Sequence, residues 1–193
     1  MRPRTLSLIT LIAAIALAVL GGLTLWGGLF VRDQVTTQLT AQEIAFAPAG
    51  SEGLPADIQS YGGVSVVNGN QAKVFADKYI EVHVQGAIVG AAAKYPDLKG
   101  VTTYSGVSGV SRANPDNEEL SGLVQTVFRG EMLRSSLLNS YGWWKFGTIL
   151  MWAGIVVLCI GALTLLSSVA IAARLRERLA HRHEAHPTGA VPA

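Results

Sequence analysis

The sequence predicts a mainly α-helical protein in which two transmembrane helices continue into a small extracytoplasmic helical bundle. Two uncharged apolar runs carry this prediction, residues 5–31 and residues 146–173. Each is longer than the roughly 20 residues that an α-helix needs to cross the hydrocarbon core of a bilayer. Of the 193 residues 50% are hydrophobic, and they concentrate in these runs, so we do not expect one large soluble core.

These runs divide the chain into five parts. We expect a cytoplasmic N-terminus at residues 1–4, a first transmembrane helix at 5–31, an extracytoplasmic helical domain at 32–145, a second transmembrane helix at 146–173 and a cytoplasmic basic tail at 174–193. The middle part is long enough for one small domain.

The first apolar run follows Arg2 and Arg4, as the core of a secretory signal peptide follows its positive charges. The run is much longer than the roughly 7–15 residues of such a core. An A-x-A sequence, residues 16–18, lies inside the run and not after it. We therefore expect an uncleaved anchor.

Positive charge is distributed unequally around the two runs. Arginines precede the first run and follow the second, whereas Arg32 and Asp33 cancel just beyond the first. Cytoplasmic flanks carry an excess of Lys and Arg, so we expect a multi-pass plasma-membrane protein with both termini in the cytoplasm. Aromatic rings favour the membrane–water interface. The residues that we expect at the two interfaces are Trp26, Phe30, Trp143, Trp144, Arg174, Arg176 and Arg178.

Small residues recur at intervals of seven in both apolar runs. Residues seven apart stay on one helix face, and small side chains there let two helices approach closely. We predict an antiparallel helix pair with a small-residue seam, closed either within one chain or between subunits. The alternative is that Gly and Ala are simply frequent in membrane helices. The repeat comprises Ala14, Gly21, Gly28, Gly147, Gly154, Gly161 and Ser168.

The first half of the middle region predicts one helical extension, one extended segment and one new helix. Residues 32–42 are polar and contain no Gly or Pro, so the first helix is expected to continue through them. Residues 61–67 are a candidate extended segment closed by a turn at Asn68-Gly69. Asn70 is a candidate N-cap for a helix over 71–93. One face of that helix would carry Ala72, Ala76, Tyr79, His83, Ala87 and Gly90.

The second half of the middle region begins with a predicted loop. Residues 94–113 are rich in Gly, Ser and Thr and show no clear periodicity, so we expect them to be mobile. Asn114 is a candidate N-cap for the next helix, with Pro115 at its first position and acidic residues in its first turn. From there the helical pattern continues into the second apolar run.

Five segments of the chain carry a resemblance to a known family: VRDQV at 31–35, QEIAF at 42–46, QAKVFADKYI at 71–80, QTVFRGEMLR at 125–134 and LLNSYGWW at 137–144. On these segments the chain resembles a family of two-span membrane proteins of unknown function from high-GC Gram-positive bacteria. The resemblance implies the same topology and an outer domain, and no activity. Some members of such families carry the label aromatic ring-opening dioxygenase. A non-haem iron site usually takes two His and a carboxylate, and His83 is the one histidine of the middle region.

A polar junction is the one candidate site of the middle region. Glu131 and Arg134 are three apart in the predicted last helix and can form an ion pair on its surface. The sharper hypothesis is that Glu131 reaches across the bundle to His83 or Lys78. His83 itself is expected either in the core, hydrogen-bonded to a neighbour, or as a pH-responsive or ligand-contacting group.

The sequence shows no nucleophile with a base, no phosphate-binding Gly motif and no paired metal ligands, so we expect no enzyme, cofactor or metal. Nucleic-acid binding lacks a basic block with interleaved aromatics. The leading hypothesis is an accessory or structural subunit. Its partners would be the lipid bilayer and another membrane or envelope protein, or a second copy in a homo-oligomer. The alternative is an extracytoplasmic ligand or pH sensor using His83 and Glu131. A sensor needs an output domain, and the roughly twenty residues expected in the cytoplasm after the second span are too few for one, which disfavours this alternative.

Overall fold

A computed structural model describes the backbone of residues 3–184 and the side chains of residues 5–174 and 176–178. The described chain is mainly helical, as predicted. Two short 3₁₀ helices, Ala56–Tyr61 and Pro96–Leu98, lie between the longer elements, and a π-helical segment, Phe75–Ile80, joins two of them. The α-helices are α1 (Pro3–Ala41), α2 (Gly69–Val74), α3 (Glu81–Ala92), α4 (Tyr104–Ala113) and α5 (Glu118–Glu184).

Two of these helices, α1 and α5, are long and apolar enough to cross a membrane. The prediction of two membrane-length helices is therefore confirmed. The extension of the first helix predicted through residues 32–42 is present up to Ala41, where α1 ends. The described chain forms two compact units, one from residues 3–29 with 148–184 and one from residues 30–147.

The core of the second unit is built from aliphatic and aromatic side chains of every element between α1 and α5. An isolated antiparallel bridge between Ala45 and Ser65 orders the segment after α1. It includes hydrogen bonds from Phe46 N to Val64 O (3.0 Å) and from Val66 N to Ile44 O (2.8 Å), in the region predicted to be extended. The largest fully buried side chains are Leu39, Val66, Ile88, Leu98, Val107, Leu120, Val127 and Leu137.

The helix predicted over 71–93 begins two residues earlier than expected. Asn68, and not Asn70, is the N-cap, because its side chain accepts from Gln71 N at 3.0 Å. The Gln71 side chain accepts in return from the Asn68 backbone, which completes a capping box. The predicted helix as a whole corresponds to α2, the π-helical segment and α3.

The buried face of this helix also differs from the prediction beyond Ala76. In the π-helical segment Glu81 N–H bonds to Ala76 O, five residues back. A π turn holds one more residue than the α period allows, so the buried positions move to Ile80, Val84 and Ile88. His83 and Gly90 of the predicted face are exposed, and Tyr79 and Ala87 are only half-buried.

The prediction of a mobile loop over 94–113 is wrong. Thr103 caps α4 through its hydroxyl, which accepts from Gly106 N at 3.2 Å, and Val107 is fully buried. A Cβ at Gly106 would lie 2.6 Å from Val101 Cγ1, so this glycine permits the helix to pack closely. Gly and Ser have low helix propensity, but tertiary packing overrides propensity here.

The start of α5 is displaced by three residues from its predicted cap. Asn114 follows α4, and its side chain donates to Val110 O at 2.9 Å. The side chain of Asn117 instead accepts from Leu120 N at 3.1 Å. Glu118 and Glu119 occupy the first turn, where negative charge stabilises a helix.

Candidate functional site

The predicted small-residue seam brings α1 and α5 together within one chain. In the first unit, a Cβ at Gly154 would lie 2.5 Å from Leu25 N, and one at Gly21 would lie 2.9 Å from Leu158 N. A Cβ at Gly161 would lie 3.2 Å from Leu17 Cβ. The α1 partners fall in number as the α5 positions rise, so the two helices run antiparallel.

The ends of the seam differ in chemistry from its centre. Ala14 and Ser168 are each only 4% exposed, and the Ser168 hydroxyl donates to Ser7 O at 3.2 Å. Hydrogen bonds of this type hold helices together where apolar surroundings offer no competing water. Gly28 and Gly147, the remaining members of the repeat, are each buried.

The predicted polar junction of the second unit is centred on Arg134. Its Nη1 lies 3.1 Å from Glu131 Oε2 and 2.5 Å from Glu81 Oε2, and its Nη2 lies 3.5 Å from Asp77 Oδ1. Its Nε donates to Ala76 O at 3.2 Å. Arg134 therefore joins α5 to the π-helical segment, where Ala76 O accepts a second bond from Glu81 N.

The polar junction holds three carboxylates around one guanidinium, and all four groups are partly buried. The side chain of Arg134 is 22% exposed, and its three carboxylate partners are 30–34% exposed. Lys73 adds one further cation through its ion pair with Asp77. The Asp77 carboxylate raises the pKa of Lys73 above its usual value by accepting a hydrogen bond from it. Sequence analysis identified Glu131 and Arg134 but missed Asp77 and Glu81, because only the fold brings them to α5.

The hypothesis that Glu131 contacts His83 or Lys78 is wrong. Glu131 pairs with Arg134, and Lys78 Nζ donates to Asp57 Oδ2 at 2.8 Å. That hydrogen bond lowers the pKa of Asp57 and raises the pKa of Lys78. His83 is exposed, so it is not a core histidine, and its Nδ1 donates to Tyr79 O at 2.6 Å.

His83 instead ends a cluster of aromatic rings. Its ring lies 4.5 Å from that of Tyr79, which lies 4.7 Å from that of Phe75. Phe46 completes the cluster with a T-shaped contact to Phe75 at 4.9 Å. Such ring pairs stabilise a core beyond the area that they bury, so Phe46 fixes the segment after α1 against the π-helical segment.

Another ion pair links the segment after α3 to the beginning of α5. Lys94 Nζ pairs with Glu119 Oε2, and Tyr95 Oη donates to the same oxygen at 2.8 Å. The hydrogen bond from Lys94, followed by that from Tyr95, lowers the pKa of Glu119. The pKa of Lys94 is raised by the same contact. Both side chains are more than half exposed, so the pair contributes little to stability.

The residues predicted at the membrane interface have different environments. Trp26, Phe30 and Trp143 are each at least half exposed. Trp144 is half-buried in the second unit, where its side chain covers Gly69 and Arg32 stacks over its ring at 4.3 Å. Trp144 therefore packs within the second unit, and its place at the membrane interface stays a prediction.

The arginines used to predict topology are described in part. Arg174, Arg176 and Arg178 are exposed on α5. Arg2 lies outside the described residues, as do the side chains of Arg4 and Arg182. Residues 1–2 of the predicted N-terminal segment and residues 185–193 of the predicted tail are likewise outside them.

Within the described residues, no group of three or more His, Cys, Asp and Glu side chains has the geometry to hold a metal ion. No protein-family model, curated protein or solved structure matches the chain. The resemblance to two-span bacterial membrane proteins therefore stays a prediction.

Proposed function

We propose that this chain is a non-enzymatic, multi-pass plasma-membrane protein with both termini in the cytoplasm. Residues 32–145 then form an extracytoplasmic helical domain held at the membrane by α1 and α5. Two membrane-length helices support this proposal, as do the exposed arginines Arg174, Arg176 and Arg178 near the end of α5.

The domain acts by binding another membrane or envelope protein as an accessory subunit. The observation that carries this function is an exposed apolar surface formed by α5 and the first residue of α4, which we call the α5 patch and define as Tyr104, Phe128 and Met132. Phe128 is 44% exposed and Met132 is 56% exposed, and they lie one helical turn apart on one face. The Tyr104 ring lies 5.6 Å from that of Phe128.

The composition of the α5 patch suits a protein partner. Tyr, Phe and Met are enriched in the centres of protein–protein interfaces, and exposed apolar patches on a folded domain are typical of interaction sites. Val82 and Val89, two turns apart on α3, add a second exposed apolar face. The sensor alternative receives no such support, because His83 and Glu131 take part in separate contacts.

The test is co-purification of the tagged full chain in mild detergent, with the eluate identified by mass spectrometry. Met132→Asp places a charge in the α5 patch. Thr126→Asp is the matched control, since Thr126 is also exposed on α5 and lies about 160° around the helix from Phe128 at roughly 100° per residue.

We expect a stoichiometric membrane partner that is retained with Thr126→Asp and reduced about tenfold with Met132→Asp, because burying an unpaired charge is strongly unfavourable. Recovery of the chain alone, or as a homo-oligomer, would contradict the accessory-subunit function. Equal partner recovery with both variants would show that the partner does not bind at the α5 patch.

A further inference from the structure

A groove between α1 and α5 in the second unit has a lining suited to a small ligand. Its volume is about 270 Å³, near the lower limit of roughly 300 Å³ for small-molecule sites. Two valines form part of its wall. The polar and aromatic side chains that line it are Gln34, Gln38, Asn139, Ser140, Phe30 and Trp143.

The polar part of the lining consists of uncharged groups that both donate and accept. Gln34 and Gln38 lie one turn apart on α1, and Asn139 faces the groove from α5. Within the described part of the chain, these three carboxamides make no hydrogen bond to protein. A carboxamide offers two donors and an acceptor, which matches a ligand whose hydroxyls also donate and accept.

The remaining lining provides apolar rings beside the amides. Phe30 and Trp143 are each about half exposed, and none of the lining residues carries a charge. An anionic or cationic ligand would find no opposite charge in the groove. A sugar ring presents hydroxyls around its edge and apolar C–H groups on its faces, so it satisfies both kinds of lining at once.

We propose that this groove binds a neutral, hydroxyl-rich group, a sugar or similar polyol. The ligand can be the headgroup of a glycolipid or a free sugar. On the topology proposed above, Phe30 and Trp143 lie at the ends of the two apolar spans, which favours the headgroup. The chemistry of the groove is the same for both sources and does not depend on the α5 patch.

The test measures retention of lipids by the purified full chain with native mass spectrometry. The chain is released from mixed micelles that contain equal amounts of a monoglucosyl diacylglycerol and phosphatidylcholine of the same acyl chains. A parallel sample contains phosphatidylcholine alone with methyl glucoside in solution. The groove variant is Gln34→Leu with Asn139→Leu, and its matched control is Gln42→Leu with Gln125→Leu, which replaces two exposed amides outside the groove.

We expect the wild type and the control to retain the monoglucosyl diacylglycerol in preference to phosphatidylcholine. In the groove variant this preference should fall roughly tenfold or more, because two hydrogen bonds to the sugar are missing. Retention of the glycolipid alone assigns the lipid source, and equal retention of methyl glucoside assigns the free sugar. Equal retention of both lipids by wild type, or identical behaviour of groove variant and control, would overturn the proposal. If the double variant melts early, Gln38→Leu at an exposed position replaces it with the same criteria.

Discussion

The contacts inside the first unit differ in kind from the contacts inside the second unit. In the first unit, α1 and α5 meet through backbone and small side chains, as at Gly154 against Leu25. In the second unit, α5 packs through apolar side chains such as Val127, and one long cation, Arg134, adds ion pairs to carboxylates of the π-helical segment, α3 and α5 itself. We therefore expect the seam to be most sensitive to added volume and the polar junction to be most sensitive to lost charge.

The largest effect is expected from added volume in the seam. Gly154→Leu places its Cβ against the backbone of Leu25, which cannot move aside as a side chain can. Overpacking costs about 1–3 kcal/mol, and we expect the upper end, about 3 kcal/mol, in chemical denaturation in detergent. Gly22→Leu is the control, because nothing lies within 4 Å of a Cβ there. If both variants lose the same stability, the two helices are not packed along this seam.

A smaller loss is expected when the central cation of the second unit is removed. Arg134→Met leaves Asp77, Glu81 and Glu131 close together with less positive charge. Breaking a fully buried pair costs about 3–5 kcal/mol, and partial exposure reduces this to about 2 kcal/mol here. Thermal and denaturant unfolding should show this loss and should show almost none for Arg129→Met, at an exposed position of the same helix. Restoration by an added Glu81→Gln would identify charge, and not packing, as the cause.

Loss of the hydrogen bond across the seam should lower the free energy of unfolding less than Gly154→Leu or Arg134→Met does. Ser168→Ala removes the bond to Ser7 O, and bonds between membrane helices average about 0.6 kcal/mol. Ser167→Ala is a close control, since the Ser167 hydroxyl donates to Leu163 O of its own helix at 2.9 Å. A larger loss with Ser167→Ala than with Ser168→Ala in the same denaturation assay would contradict the assignment of Ser168 to the seam.

The smallest effect is a pH dependence from Glu119. The pKa of the folded-state Glu119 carboxyl lies below its usual value, because Lys94 and Tyr95 donate to the carboxylate. Its contribution is therefore complete above the unfolded pKa and is lost as pH falls through the folded value. The difference in melting temperature between wild type and Glu119→Gln should be small at pH 7 and should vanish in acid. A difference that grows as the solution is acidified would have the wrong sign.

The two units also differ in how much of them could be predicted from the sequence. The seam was predictable because a helix keeps residues seven apart on one face, and the contacts of Gly21, Gly154 and Gly161 follow that period. Whether the seam closes within one chain depends on three-dimensional packing. In this structure it does, since Gly154 lies against Leu25 of the same chain.

The second unit was less predictable because its decisive features are not periodic. The π-helical segment moves His83 out of the core and brings Asp77 and Glu81 toward Arg134, and no residue pattern marks such a turn. Helix α4 was missed because Gly and Ser favour a loop locally, while burial of Val107 favours the helix. Asn114 and Asn117 are equally good caps by residue type, so only packing selects Asn117.

The measurement that tests the proposed topology most directly is labelling of single cysteines with a membrane-impermeant maleimide. Cys159→Ala first removes the native thiol. Glu52→Cys then reports on the exposed segment after α1, and Arg178→Cys reports on the end of the described part of α5. The two-span topology predicts that Glu52→Cys is labelled in intact cells and that Arg178→Cys is labelled only after permeabilisation. Labelling of both positions, or of Arg178→Cys alone, in intact cells would contradict it.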